Sequence, residues 1–276
     1  MMRHLIRSIC FTFTIASSTG ATCLAAEPVI LHREALTPTG MRMGLVGRPC
    51  AKSKSYAGSP LNDVSQMPGL PVFAPEPLID APLAKTHDTA TAILSGGCFW
   101  GMQDVFQHVK GVKQTLAGYT GGIASTAHYD LISTGTTLQA ESLKITYDPA
   151  EISYGTLLRI FVSVAANPTE LDYQGLDHGP QYRTIIWAET PTQRQIAMSY
   201  LRQLEYDHIF AGRIVTRVEP AMAFYPAEPY HQNFAALHPD NPYIAFVDSP
   251  KVAALARLFP TLYHAMPTQI HRGANN

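Results

Sequence analysis

TAILSGGCFWG, at residues 91–101, decides the fold because it joins a buried strand to a helix through a pair of glycines. Thr91–Leu94 is short and mostly apolar, which predicts an interior strand. Gly96 and Gly97 allow a sharp turn. Apolar residues then recur at helical spacing and predict a helix from Cys98 to about Val109. A thiol therefore lies where the strand turns into the helix.

The chain after this helix continues as strands and helices separated by Gly and Pro. Two helices with clear caps are predicted, from Ser153 to Asn167 and from Thr190 to about Tyr206. Alternating polarity at Ser142–Tyr147 is typical of a half-exposed strand. Other strands are predicted at Lys113–Gly118, Arg183–Ala188 and Ile214–Val218. The short spacing favours antiparallel pairing, so we expect an α+β fold: a two-layer sandwich of ferredoxin-like type, with helices on a mixed, mostly antiparallel sheet.

Composition divides the chain into three parts. Residues 1–26 place Arg3 and Arg7 before a short apolar run and end in small residues, which is typical of a cleaved signal peptide. The run is too short to favour a membrane anchor, so we expect an exported, periplasmic protein. Residues 27–88 are rich in Pro, Gly, Ser and Ala and predict an irregular extension. Residues 89–276 are predicted to form the catalytic domain and a carboxy-terminal tail.

Charge and cysteine content exclude several classes of function. The 276 residues include 20 basic and 21 acidic side chains, dispersed along the chain, so there is no basic field for nucleic acid. Loss of residues 1–26 would remove Cys10 and Cys23 and leave Cys50 and Cys98. Two cysteines are too few for a disulfide framework. The question is therefore whether either thiol is reactive.

Two environments are open for Cys98 at this stage. The free N–H groups and the positive end of the helix dipole would lower the pKa of the thiol and favour thiolate. Burial would act in the opposite direction, and a free cysteine is often simply a small buried hydrophobic residue. The adjacent rings of Phe99 and Trp100 could form an apolar wall that accepts a methyl group.

The motifs around and after Cys98 carry a family resemblance. They are GCFWG at 97–101, GYTGG at 118–122, Tyr129, QAE at 139–141, YDP at 147–149, ISY at 152–154, QGLDHG at 174–179, QYR at 181–183 and AEPYHQ at 227–232. In this order they resemble the peptide methionine sulfoxide reductases of the A type, over roughly residues 90–240.

The resemblance implies a mechanism and a set of roles. Cys98 would attack the sulfoxide sulfur as a thiolate and become a sulfenic acid, while Glu141 would act as the acid that protonates the oxygen. Tyr129 and Tyr182 match tyrosines that hydrogen-bond the sulfoxide oxygen, and Asp177 matches an aspartate that helps hold the site together.

The resemblance also implies the substrate and the partners. Phe99 and Trp100 would form the pocket for the S-methyl group of methionine S-sulfoxide, free or in oxidised proteins, so that the activity repairs oxidative damage. No metal or organic cofactor is implied. The reductant would be thioredoxin, glutaredoxin or a small thiol, and we expect a monomer.

Two departures from the family pattern affect these expectations. Leu138-Gln139 replaces a Gly-His pair found in many relatives, which leaves the neighbouring loop in question. No cysteine follows Cys98, although many relatives have recycling cysteines near the carboxy terminus. The sulfenic acid would then be reduced by an external thiol or, alternatively, by Cys50 as a resolving thiol; the external route is favoured.

Two other functions remain open on sequence grounds. Cys98 could pair with His231 or His178 in a cysteine hydrolase. The chain could also be a binding module that holds oxidised peptides without turning them over.

Overall fold

The computed structural model describes residues 71–269 as one run of helices and strands around a mixed sheet. Six helices are present in this range: α1 Phe99–Gln107, α2 Tyr129–Ile132, α3 Tyr154–Ile160, α4 Pro191–Tyr206, α5 Phe234–Leu237 and α6 Ser249–Leu258. The strands are β1 Ala90–Ser95, β2 Val112–Thr120, β3 Ala140–Tyr147, β4 Tyr173–Gln174, β5 Asp177–His178, β6 Ile185–Ala188, β7 Arg217–Pro220 and β8 Phe224–Pro226. No helix in the described range is both long and apolar enough to cross a membrane.

Six of the strands form one sheet in the order β7-β6-β1-β3-β2-β8, and β4 pairs with β5 in a separate hairpin. All neighbours in the sheet are antiparallel except β6 and β7, which are parallel. In sequence, α1 lies between β1 and β2, and α3 lies between β3 and β6. The strands that carry the site, β1 and β3, are therefore at the centre of the sheet.

The core lies between the sheet and its helices. Fully buried side chains from β1, α1, β3, α3 and the turn after α3 form one continuous cluster, which includes Leu94, Phe106, Leu143, Leu157 and Phe161. Burial of this apolar surface is the main source of stability for such a domain. The cluster fixes β1 and α1 relative to β3, and thereby fixes the turn between β1 and α1.

Most of the predicted elements are confirmed. Ser153 caps α3 by accepting a hydrogen bond from the Thr156 N–H, and Thr190 caps α4 by accepting one from the Gln193 N–H. The predicted helix after Ser153 contains a π-helical turn, Phe161–Ala165, before it ends. The mixed α+β architecture is confirmed as well.

Two local predictions are wrong. The strand expected at 214–218 begins only at Arg217, because the N–H groups of Val215 and Thr216 donate to the Pro168 carbonyl instead of to a strand. The strand expected to be half-exposed is β3, in which Ser142 is fully buried. Its polar face is covered because β3 is a central strand, and the Ser142 hydroxyl is hydrogen-bonded to Ser95 at 2.7 Å.

Residues 71–89 contain no helix or strand and lie along α3 and α4. The Val72 N–H donates to the Ser163 carbonyl at 3.0 Å, and the Tyr200 hydroxyl donates to the Pro75 carbonyl at 2.7 Å. Asp80 accepts hydrogen bonds at the start of α3 from Ser153 and the Gly155 N–H. The signal peptide and most of the extension predicted for residues 27–88 lie outside the described residues.

Candidate active site

Cys98 lies at the N-cap of α1, directly after the glycine turn that follows β1. Its exposed fraction is 8%, so the thiol is largely shielded. The two glycines are required by close packing. A Cβ at Gly96 would lie 2.6 Å from side-chain atoms of Ala166 and Phe161, and Gly97 has φ of 86° and lies against Gln174. These contacts fix the backbone that presents the sulfur.

Burial raises the pKa of the Cys98 thiol well above its ordinary value. The negative charge of Glu141 adds to this effect, and Asp248 and Asp177 contribute in the same direction. The Trp100 backbone N–H acts oppositely, but it does not outweigh the burial. Of the two environments open on sequence grounds, the structure therefore shows the one in which the resting thiol keeps its proton.

Glu141 is the second residue of β3, on the strand next to β1. It is 2% exposed, and its carboxylate accepts a hydrogen bond from the Phe99 N–H at 3.0 Å. Burial raises the pKa of Glu141 to about 8, although the Phe99 N–H lowers it in part. The carboxyl group is thus protonated at neutral pH and lies beside the first turn of α1. It can act there as a proton donor.

Tyr129 and Tyr182 come to the same place from α2 and from the turn before β6. Burial raises the pKa of both phenols, to about 12 for Tyr129, and the charges of Glu141 and Cys98 raise it further. Both hydroxyls therefore stay protonated. A protonated hydroxyl can donate to an oxygen on which negative charge develops.

Asp177 lies on β5 and accepts a hydrogen bond from the Tyr243 hydroxyl at 2.5 Å. Burial raises the pKa of Asp177, while the bond from Tyr243 and the charge of Lys251 lower it. Its charge reaches Cys98 and Glu141. The structure thus brings together all five residues predicted for catalysis: Cys98, Tyr129, Glu141, Asp177 and Tyr182.

The two predicted substrate-pocket aromatics have different surroundings. The ring of Phe99 is 1% exposed and packs against Tyr119 and His231. Trp100 is half-buried, with its ring stacked on Phe234 at 3.9 Å between centroids. The Trp100 indole N–H donates to Nδ1 of His231 at 3.1 Å, which fixes the orientation of the indole ring.

Sequence reasoning assigned no role to Glu228, although the motif that contains it was noticed. Its carboxylate accepts from the Tyr119 hydroxyl at 2.7 Å and from the Tyr129 N–H at 2.9 Å. These bonds hold Tyr129 beside the site. Two further residues were missed altogether: Tyr243, which binds Asp177, and Asp248, which is fully buried under α1. Neither residue could be assigned a role from the sequence, because that role depends on neighbours that are distant along the chain.

Gln139, at the departure from the family pattern, is fully buried and ties a loop to β3. Its amide oxygen accepts from the Gly122 N–H, and its amide nitrogen donates to the Ile123 carbonyl and to the Thr126 hydroxyl. The loop left in question by this departure is therefore held by the replacement residue.

The histidines do not support a hydrolase site. His231 uses Nδ1 to accept from Trp100, and burial lowers the pKa of its imidazole. His178 is exposed and stacks on Tyr173. Neither is hydrogen-bonded to the Cys98 sulfur within residues 71–269, so the thiol has no histidine base.

One group within residues 71–269 has the spacing of a metal site, but it lies around the start of α3, away from Cys98. It consists of His87, Asp148 and Glu151. The Lys113 ammonium already pairs with both carboxylates, at 3.4 Å from Asp148 and 2.6 Å from Glu151. A cation would have to displace this lysine.

A buried thiol, a protonated carboxyl group and two phenolic hydroxyls define the site of a thiol-dependent oxidoreductase. The sequence model of the family "Peptide methionine sulfoxide reductase" matches residues 90–261, more than half of the chain. The chain belongs to this family.

Similar proteins agree with this assignment. A peptide methionine sulfoxide reductase MsrA 2 of Mesorhizobium japonicum is 52% identical over 185 residues, which cover 67% of this chain and 95% of that protein. An MsrA 2 of Synechocystis is 47% identical over 180 residues, which cover 64% and 84%. The solved structure of reduced Mxr1 from Saccharomyces cerevisiae aligns with a TM-score of 0.51 and 25% identity, covering 58% of this chain and 94% of that one.

Proposed function

We propose that this chain is a peptide-methionine (S)-S-oxide reductase in which Cys98 removes the oxygen from methionine S-sulfoxide, free or in proteins. The observation that carries the proposal is the placement of Cys98 beside Glu141, a carboxyl group with a pKa of about 8. A sulfoxide oxygen is a poor leaving group until it is protonated, so a nucleophile needs such an acid next to it.

The reaction transfers one oxygen atom and two electrons. The Cys98 sulfur attacks the sulfoxide sulfur while Glu141 gives its proton to the oxygen, with the hydroxyls of Tyr129 and Tyr182 donating to that oxygen. The oxygen passes to Cys98, which becomes a sulfenic acid, and methionine leaves with its sulfur reduced by two electrons. The proton lost by the Cys98 thiol balances the one given by Glu141.

The electrostatics of the site match this order of events. Burial raises the pKa of both groups, the charge of Glu141 further raises that of Cys98, and the charges of Asp177 and Asp248 further raise that of Glu141, so both are protonated in the resting enzyme. Transfer of the Glu141 proton and ionisation of Cys98 together leave the site with one negative charge rather than two. Phe99 and Trp100 provide the apolar surface for the methyl group.

Reduction of the sulfenic acid completes the cycle. An external thiol, such as thioredoxin, glutaredoxin or a small thiol, attacks the Cys98 sulfur, water leaves, and a second thiol releases the mixed disulfide. The absence of any cysteine after Cys98 in the sequence supports this external route.

We also propose a fold subtype, a cellular location and an oligomeric state for this chain. The inner strands have the order β6-β1-β3-β2, with α1 and α3 between strands, which supports a two-layer sandwich of ferredoxin-like type. The layout of residues 1–26 supports export to the periplasm and removal of a signal peptide, followed by an extension up to residue 88. We propose a monomer as the working form.

The test is incubation of the protein with racemic methionine sulfoxide and dithiothreitol, followed by chiral chromatography. Loss of the S-epimer alone is expected, and Cys98→Ser should abolish it. Consumption of neither epimer would sink the proposal. Tight binding of a sulfoxide peptide without release of methionine would instead favour a binding module.

A further inference from the structure

Asp248 is a buried carboxylate to which the reaction above gives no role. It ends the π-helical turn Ile244–Asp248 that leads into α6, and its exposed fraction is 0%. One oxygen accepts from the Lys251 ammonium at 3.2 Å, and the other has no hydrogen-bond partner within the described range 71–269. Burial of a half-satisfied carboxylate costs free energy, so stability alone does not account for Asp248.

A glycine in α1 makes room for this carboxylate. A Cβ at Gly101 would lie 2.0 Å from Oδ1 of Asp248 and 3.0 Å from Nζ of Lys251. Gly101 is in the first turn of α1, which has Cys98 as its N-cap. The Asp248–Lys251 pair therefore lies directly on the backbone of the turn that carries the thiol.

The charge of Asp248 reaches both reacting groups. It raises the pKa of Cys98, after the larger effects of burial and Glu141, and it also raises the pKa of Glu141. Burial raises the pKa of Asp248 itself to about 6, while Lys251 lowers it. The carboxyl group is therefore mainly ionised at neutral pH, with Lys251 as its counter-ion.

We propose that the Asp248 carboxylate, held against Gly101 with Lys251 as its counter-ion, is a positioning group whose charge keeps the resting Cys98 thiol protonated, and thereby unreactive, until a sulfoxide is bound, while Lys251 limits this effect. This inference rests on the proposed role of Cys98. Oxidants and alkylating agents attack the thiolate and not the thiol, so a thiol that holds its proton is protected in the absence of substrate.

Other ionisable groups face the pair and the thiol. Cys98 faces Glu141 on β3 and Asp177 on β5, and its charge also reaches the phenols of Tyr129, Tyr182 and Tyr243. Asp248 faces Lys251, Asp177 and Asp104 of α1. Asp104 is 8% exposed and interacts with His108 and Lys251, but it is not among the groups that shift the pKa of Cys98. It therefore provides a matched control.

The test is the rate at which iodoacetamide modifies Cys98 between pH 6 and 9. Mass spectrometry of the peptide that carries Cys98 separates it from Cys10, Cys23 and Cys50. Asp248→Asn removes the negative charge beside α1 while Lys251 stays, and should speed modification roughly three- to tenfold at pH 7.5, because a tenfold gain corresponds to a fall of one unit in the pKa of Cys98. Lys251→Met raises the pKa of Asp248, so it should slow modification toward pH 9, where Asp248 is ionised without its counter-ion. Asp104→Asn should change the rate less than about twofold.

The opposite directions separate electrostatics from structural damage, since loosening of α1 would speed modification in both variants. All proteins should react at one rate in guanidinium chloride. A folded Asp248→Asn protein that reacts no faster than the wild type at pH 7.5 overturns the proposal, as does a faster reaction in Lys251→Met at pH 9. If Asp248→Asn does not fold, slower modification of Cys98 in Lys251→Met supports the proposal, and an unchanged rate overturns it. If Asp248→Asn is alkylated faster but the wild type reduces no sulfoxide, the proposed function is wrong, while the inferred role of the Asp248–Lys251 pair is supported.

Discussion

Burial is the physical origin of the acid at this site. Glu141 has no basic partner within the described residues; instead, it accepts from the Phe99 N–H in a low-polarity surrounding, and its charge acts on the Cys98 thiol. Such a surrounding disfavours the charged form of a carboxyl group. The residue is thus an acid at neutral pH because of where β3 places it.

Glu141→Gln should slow sulfenic acid formation by about a hundredfold or more, the usual contribution of a positioned acid. The amide keeps the shape of the side chain but cannot give up a proton. Single-turnover release of methionine without reductant measures this step. In the wild type the rate should fall as pH rises through about 8, since the Glu141 carboxyl group then ionises, whereas the variant should lack this decline. Glu151→Gln, which changes an exposed acid, serves as the control. An unchanged rate in Glu141→Gln would assign the acid elsewhere.

The same carboxyl group should make stability depend on pH. In the unfolded chain Glu141 ionises near its ordinary pKa of 4.5, but in the folded protein it does so only at about 8. Between these values the folded state holds more protons, so the free energy of unfolding should fall as pH rises, by up to about 1.4 kcal/mol per pH unit from this group. Urea unfolding at pH 5, 6 and 7.5 should show a smaller slope for Glu141→Gln. Equal slopes for the two proteins would contradict the buried, protonated state.

At the scale of elements, residues 71–89 act as part of the domain at the start of α3. Asp80 accepts from the Ser153 hydroxyl at 2.5 Å and from the Gly155 N–H at 2.8 Å, while Ser153 itself caps the helix. Two of the N–H or O–H groups at this helix end therefore depend on a residue more than 70 positions earlier in the chain.

Asp80→Ala should lower the free energy of unfolding by about 1 to 3 kcal/mol, since it removes hydrogen bonds to a charged acceptor at a helix N-terminus. Denaturant unfolding of the full chain measures this loss. Asp88→Ala is the matched control, because Asp88 is exposed and bonds only to Thr86 among the described residues. Equal stability of the two variants would show that the cap from residue 80 contributes nothing.

Local patterns were sufficient to predict the elements that position Cys98. Caps at Ser153 and Thr190 and the glycine turn before Cys98 depend on neighbours in sequence, and all were found. The π-helical turn and β8 were not predicted, because they depend on tertiary contacts. The burial of both faces of β3 depends on its central place in the sheet, which alternation along one strand cannot show.

At the scale of the whole molecule, the site draws on segments from residue 98 to residue 251. Motif order was enough to predict that Cys98, Tyr129, Glu141, Asp177 and Tyr182 belong together. The direction of the pKa shift at Cys98 could not be predicted, because it depends on the balance between the helix dipole, burial and distant carboxylates. Asp248 and Lys251 are brought under α1 by the packing of α6, which no local pattern reveals.

Recycling of Cys98 involves the whole chain, because the other cysteines lie far from it in sequence. Cys50 lies outside the described residues and no other cysteine follows Cys98, so the external route predicts that Cys50 is dispensable. Cys50→Ser should therefore turn over S-sulfoxide at the wild-type rate with dithiothreitol or thioredoxin as reductant. Mass spectrometry after one equivalent of sulfoxide, without reductant, should find a sulfenic acid on Cys98, trapped by dimedone, in both proteins.

A Cys50–Cys98 disulfide in the wild type, with turnover by thioredoxin lost in the variant, would instead show that the chain resolves its own sulfenic acid. The thiolate of Cys50 would then have to reach a residue that is only 8% exposed, and this shielding is the physical reason for expecting the external thiol to be a small or extended one.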